Sequence, residues 1–322
     1  MERKTCARFV VDEKPYCLWD IDIPARNREL LQKIDPEYFR HLADINFDLL
    51  DKSQDKDNPS RQHAAISLRI AYSHALEVLF SLIGATIQAP DCVVGWLIKY
   101  RPGDIPKIVK KVTNNQPLLS NFDPTPRGWR EVAEVVFSPA SGTEQYDFLI
   151  EKFSGLWERF AYEFLDSDFQ DEYNSAKHGF RAKAAGFFLV IDDTNSPTLT
   201  GNPVVHANSE FGMSYFKDEK IDNLNFIIHH QGNNWHPLNY AYALDLISTS
   251  LTNIIAFLSV TNGIDFKELS VSYPDDPAYF DKPWEIEQTG AFKITQSSQV
   301  NVDKVPRLSK EQIRSRYPNQ NS

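Results

Sequence analysis

Cysteine is scarce in this chain: Cys6, Cys17 and Cys92 are the three in 322 residues, irregularly spaced. That excludes a disulfide framework and a zinc ligand set, and it points to a reducing, cytoplasmic setting. With 13 glycines the composition is not glycine-rich or fibrous. The opening residues, Met1-Glu2-Arg3-Lys4-Thr5, lead into a charged segment without the apolar stretch of a signal peptide. The most apolar segment, near 237–261, is interrupted by Asp245, Ser248, Ser250 and Asn253, so it is expected to be a buried core helix, with no membrane partner. Positive charge is also short. At a net charge of −10 the chain does not hold nucleic acid by bulk electrostatics, and any such ligand needs a local basic site. Residues 99–111, with Lys99, Arg101, Lys107, Lys110 and Lys111, are one candidate, against the plainer reading of a solvated helix face. There is no P-loop, dinucleotide fingerprint, Gly-x-Ser-x-Gly elbow or His-Glu-x-x-His motif, and no cofactor or metal is expected.

What is present is apolar and helically spaced. Hydrophobic residues make up 42% and aromatics 12% of the chain, enough for a substantial core. Residues 1–26 read as irregular or strand-like. From 27 the pattern turns helical, with a break at Pro36. The clearest helix runs from about Ser60 to Gln88 and stops at Ala89-Pro90. Shorter helices are predicted near 92–100, 104–113 and 126–137, then a long one over 143–166. Ser167-Asp168-Phe169-Gln170 has capping-box spacing and predicts a new helix that ends near Gly179. Beyond 180 the pattern changes. A β insertion of about three strands is expected at about 184–230, with Lys217 to Asp222 as a turn between two of them, before the last long helix over 237–261. Residues 262–322 read as a polar tail that wraps the surface or frays. The expected fold class is mainly α.

One polar motif stands out, Glu172-Tyr173-Asn174-Ser175-Ala176-Lys177-His178-Gly179-Phe180-Arg181. On a helix, Asn174, Lys177, His178 and Arg181 fall within about 100° of one another. An imidazole moves a proton near neutral pH, a cation stabilises charge on phosphate oxygens, and an amide orients either group. Phosphodiester chemistry uses that set. The plainer reading is an ordinary helix C-terminus, with Lys and His in the last turn and Gly after them.

Tyr173-Asn174-Ser175-Ala176-Lys177-His178-Gly179 resembles the signature of HEPN domains, helical bundles of which many are metal-independent endoribonucleases. Asn174, His178 and Gly179 match in place. Tyr173 stands where the family has arginine. The resemblance covers roughly 27–261, with the strands as an insertion before the last long helix. It implies RNA as partner, a homodimer whose two copies build the site, and a setting in prokaryotic toxin or antiphage defence systems. His178 would be the proton-transfer group, Asn174 the orienting group, and Lys177, Arg181 or Arg69 the phosphate-binding cation. Arg69 enters through a second match, Arg69-Ile70-Ala71-Tyr72-Ser73-His74, a spacing expected about once by chance here. From there it would reach across the bundle toward His178. The departure at Tyr173 keeps a second reading open, a catalytically inactive binding or scaffold module.

Two weaker signals complete the reading. His229-His230 and Trp235-His236 form a local histidine cluster, but adjacent strand residues point to opposite faces, so a hairpin turn on Gln231-Gly232-Asn233-Asn234 is preferred to a metal site. Asp192-Asp193 and Asp275-Asp276 read as a strand end and a turn.

Overall fold

A computed structural model describes residues 5–20, 22–52, 58–119, 126–177, 181–184, 186–191, 204–222, 225–265, 270–286, 293–301 and 308–316. The fold is mainly helical with a small β component. An N-terminal hairpin, β1 (Thr5–Val11) and β2 (Lys14–Asp20), turns at Asp12, which holds a φ of 54°. Helices α1 (Ile23–Leu31) and α2 (Tyr38–Lys52) follow, separated around Pro36 as expected. Then comes α3 (Pro59–Gln88), whose last residue pins the hairpin tip. The Gln88 amide donates to the Asp12 carbonyl and accepts from the Asp12 N–H, both at 3.0 Å.

The middle of the chain forms α4 (Val93–Lys99), α5 (Ile105–Thr113), α6 (Trp129–Phe137) and α7 (Tyr146–Leu165), close to the predicted spans. The motif helix is α8 (Ser167–Lys177). Its start is capped differently from expectation. Asp166, not Ser167, accepts the N–H groups of Asp168 and Phe169 at 2.7 and 3.0 Å, and the Gln170 amide reaches back to the Phe164 carbonyl. The expected end at Gly179 lies outside the described residues.

The core is built on α3 and on α9 (Pro237–Thr261), which pack along each other. Both are long and apolar enough to cross a bilayer by length and composition. Yet 72% of the most apolar window of α3 and 61% of that of α9 is buried inside the protein, so they serve as core helices here. The polar residues that interrupt α9 all have partners. Asp245 pairs with Arg40, and the Ser248 hydroxyl accepts the Arg40 N–H. Ser250 accepts from the Trp157 indole, and Asn253 makes two bonds with the backbone of Ser272. A buried polar group that keeps a hydrogen bond avoids most of its desolvation cost.

The strands differ from the expected insertion of three. β3 (Ala182–Ala184), β6 (Gly212–Lys220), β7 (Asn225–Asn234) and β8 (Lys293–Asn301) form an antiparallel sheet in the order β3-β6-β7-β8. A separate hairpin joins β4 (Phe188–Ile191) and β5 (Val204–Asn208). The Gln231-Gly232-Asn233-Asn234 segment is strand, not turn, because it completes the pairing of β7 with β6. The Lys217–Asp222 turn is likewise shorter, since β6 runs to Lys220. The polar tail is also corrected. Residues 293–301 supply the fourth strand, and 270–286 pack onto the bundle, with Phe280 4% exposed against Phe153 and the Trp284 indole donating to Glu163. Short helices α10 (Lys282–Glu285) and α11 (Lys310–Arg316) complete the described chain.

Candidate functional site at the end of the motif helix

Helix α8 lies between the bundle and the sheet. Its buried stripe carries Phe169, Glu172 and Ala176, so a carboxylate occupies a position that helical spacing assigns to the core. Glu172 is 2% exposed and serves both neighbours. Oε1 accepts from Arg69 Nε of α3 at 2.8 Å, and Oε2 accepts from the Asn233 amide of β7 at 2.7 Å.

Arg69 therefore crosses the bundle to Glu172, while His178, its expected counterpart, lies outside the described residues. Its guanidinium is buried and sandwiched between aromatic rings, 4.1 Å from the centroid of Phe169 and 4.9 Å from that of Tyr240. Burial disfavours its charge, and the Glu172 carboxylate more than offsets that, so the arginine pKa lies above its ordinary value. One nitrogen, Nη1, is buried without a hydrogen-bond partner among the described residues. The same layer holds Glu163, which accepts from Tyr72 at 2.9 Å and from Trp284 at 2.6 Å. His74, the other half of the chance match, is exposed, with its ring edge on Phe39.

The outward side of α8 holds the rest of the motif. The Tyr173 hydroxyl donates to Glu77 at 3.4 Å, and burial together with that carboxylate pushes its pKa up to about 12. Lys177 sits 5.2 Å from the Tyr173 ring and 3.9 Å from the same carboxylate. Asn174 is exposed. His178 lies outside the described residues, as do Gly179 and Phe180. Past them the chain folds back on the last turn, since the Arg181 N–H donates to the Ser175 carbonyl at 3.1 Å. The chain then enters β3 directly. Lys177, Arg181 and Lys183 are thus exposed cations around the junction of α8 and the sheet.

One face of the sheet is docked on α8. Tyr215 donates to the Asp168 carbonyl at 3.1 Å, and Lys217 and Lys293 both pair with the Asp168 carboxylate. Burial would raise the pKa of Asp168, but the two lysines prevail and hold it below the usual carboxylate value. The opposite face forms an open groove of about 820 Å³ that begins at Arg181 and Lys183. Its floor carries Phe216 of β6 stacked on His230 of β7, with centroids 4.5 Å apart and planes at 15°.

The histidine cluster separates as strand geometry requires. His229 faces Glu219 and Ser297, while His230 faces Phe216. His236 caps α9 by accepting the Leu238 N–H. Among the described residues no group of three metal-ligating side chains is assembled. In the basic stretch of 99–111, Lys111 pairs with Asp12 and Glu13, Lys107 with Asp104, and Lys99 lies near Tyr16.

Reasoning from the sequence missed Glu172, Asn233 and the Phe216–His230 pair. The first had a signal. Arg69 and Glu172 each fall on the buried stripe of an amphipathic pattern, and two opposite charges at core positions ask for each other. The ring pair had none, because it depends on the register of a hairpin.

Searches of family models, curated proteins and solved structures find no match to this chain.

Proposed function

We propose that this chain is an RNA-directed, HEPN-like helical-bundle protein that contacts RNA at the C-terminal end of α8, as a binding module first. The reading rests on the exposed cations Lys177, in the last turn of the motif helix, and Arg181 and Lys183, which line one groove where the chain enters the sheet. On a chain of net charge −10, phosphate needs such a local site. Binding comes before catalysis for a stated reason. Tyr173, at the family's arginine position, has its hydroxyl on Glu77, and Arg69 is buried on Glu172. Neither of these two positions presents an arginine to a scissile phosphate, lysine does not replace the bidentate guanidinium, and the remaining candidate arginine, Arg181, lies past the end of the motif helix and not at the family's position.

Metal-independent cleavage is the second reading, favoured by the motif match at Asn174 and His178, with His178 as the proton-transfer group. The resemblance adds a homodimer and a role in defence, and the scarcity of cysteine adds a cytoplasmic location. Binding of labelled RNA to the purified protein in EDTA, followed by gel analysis of the same RNA, tests both readings. Binding with intact RNA supports the module. Cleavage that is lost in His178→Ala supports the nuclease. Absence of binding to any RNA refutes the proposal.

A further inference from the structure

We propose that the open face of the β3-β6-β7-β8 sheet is a platform for single-stranded RNA, on which an unpaired base stacks against Phe216. The inference rests on the RNA-directed reading above and names the form of RNA that the same region takes.

The two faces of this sheet differ in kind. In the antiparallel register Lys183 lies opposite Ser214, Ser214 opposite Gly232, Phe216 opposite His230, Gly232 opposite Ile294, and His230 opposite Gln296. Directly opposed residues share a face. One continuous surface therefore carries a cation, a hydroxyl, two stacked rings, an aliphatic side chain and an amide. The alternate residues Tyr215, Lys217 and Asn233 are taken up by α8 on the other side.

The open face is built for a flat apolar ligand with polar edges. Phe216 is 55% exposed, so its ring is open to a ligand in the groove. His230 stacks parallel against it from the neighbouring strand, which fixes the plane of the pair. Gly232 keeps the floor low. A Cβ there would sit 3.1 Å from the Ile294 methyl and 3.3 Å from the Phe187 ring. The groove of about 820 Å³ exceeds the space one base needs, and Ser214 and Gln296 stand at hydrogen-bonding positions for base edges. Arg181 and Lys183 lie at one end, where a phosphate backbone would run toward the end of α8.

This combination selects strand over duplex. Bases in a helix are stacked on one another and offer no free face, whereas a single strand can lay a base on an aromatic ring beside a cationic track. Such recognition is tolerant of sequence, because every base has a π-face. It also accommodates an acidic protein, since stacking does not depend on net charge.

The test uses the full chain and fluorescence anisotropy with labelled oligoadenylate, oligouridylate and an RNA duplex of equal length. Both single strands are expected to bind more tightly than the duplex. Phe216→Ala is expected to weaken single-strand binding about tenfold or more, while Phe216→Tyr retains it. Tyr162→Ala, which removes an aromatic exposed on α7, is expected to change nothing. Lys183→Ala is expected to weaken binding chiefly at low salt. Unfolding midpoints of the variants report that each is folded. Wild-type binding that survives Phe216→Ala overturns the platform and leaves the RNA-directed reading standing. Duplex binding as tight as single-strand binding overturns it too, as does competition by a free mononucleotide at the affinity of the strand. Failure of the wild type to bind any RNA overturns the underlying reading as well.

Discussion

Replacing Glu172 by glutamine changes one atom in the joint between bundle and sheet, and its cost follows from the geometry. The carboxylate accepts from Arg69 Nε at 2.8 Å and from the Asn233 amide at 2.7 Å. A glutamine has one acceptor oxygen, so one of these donors must face an NH₂ group. The buried guanidinium also loses its counter-charge, with Nη1 already lacking a partner among the described residues. Breaking a buried pair from one side costs about 3–5 kcal/mol, a large share of the roughly 5–15 kcal/mol that holds a typical protein folded. Part of the charge remains stabilised by the rings of Phe169 and Tyr240, by about 2 kcal/mol when desolvated, which favours the lower end of the range. Arg69→Met alone leaves the carboxylate uncompensated and falls in the same range. The double variant Arg69→Met/Glu172→Met removes both charges and restores most of the loss. What remains is chiefly the orphaned Asn233 amide, worth about 1–3 kcal/mol. Urea denaturation followed by tryptophan fluorescence of these variants, together with the single Glu172→Met that closes the cycle with Arg69→Met, gives the stabilities and hence the coupling. A Glu172→Gln cost below about 1 kcal/mol, or additive single losses, would refute the reasoning. The double variant also separates structure from chemistry, because RNA binding that persists in it shows that Arg69 is not the phosphate ligand.

Burial holds the His236 pKa below its ordinary value, against the opposing pull of Glu210, and its neutral ring caps α9. The unfolded chain therefore binds the extra proton first, so stability falls as pH drops below about 6.5. Melting of His236→Asn, which keeps a good cap without a titrating group, should lack that component. Asp168 has a lowered pKa, so its contribution is present above about pH 4 and lost below it. Asp168→Asn should flatten the acid limb of the stability curve at a cost of about 1 kcal/mol or less at neutral pH. Gly84→Ala would place a methyl 2.7 Å from the fully buried Trp96 ring, and urea titration should show a loss of about 1–3 kcal/mol.

The helices were legible because their signals are local. The runs that became α3 and α9 are long and apolar, and Pro36, Pro90 and Pro102 mark breaks that the structure keeps. Strand β8 was not legible. Thr295 to Gln299 has no apolar residue, and the segment becomes a strand only because β7 offers it an edge. The cap of α8 was misplaced by one residue because Asp166 and Ser167 both suit the role, and Asp166 provides the acceptor. At the candidate site, Asn174 and Lys177 are exposed on α8, whereas Arg181 leaves the expected stripe because the helix ends at Lys177 and the chain turns into β3. The destination of Arg69 required knowing that Glu172 faces inward, a tertiary fact that periodicity hinted at but did not state.

The sheet closes late in the chain. β7 is paired along its outer edge, from Asn225 opposite Asn301 to Asn233 opposite Lys293, by residues that follow the whole of α9. During synthesis the bundle can therefore assemble while that edge still has open backbone groups, and such an edge templates pairing with other chains. Order of assembly thus becomes a property of the fold: helices first, sheet last, with the ring-bearing groove finished only when Ile294 and Gln296 arrive. A chain ended before residue 293 would keep its helical core, lose the β8 side of the groove with Ile294 and Gln296, and present β7 to its neighbours as a site of self-association.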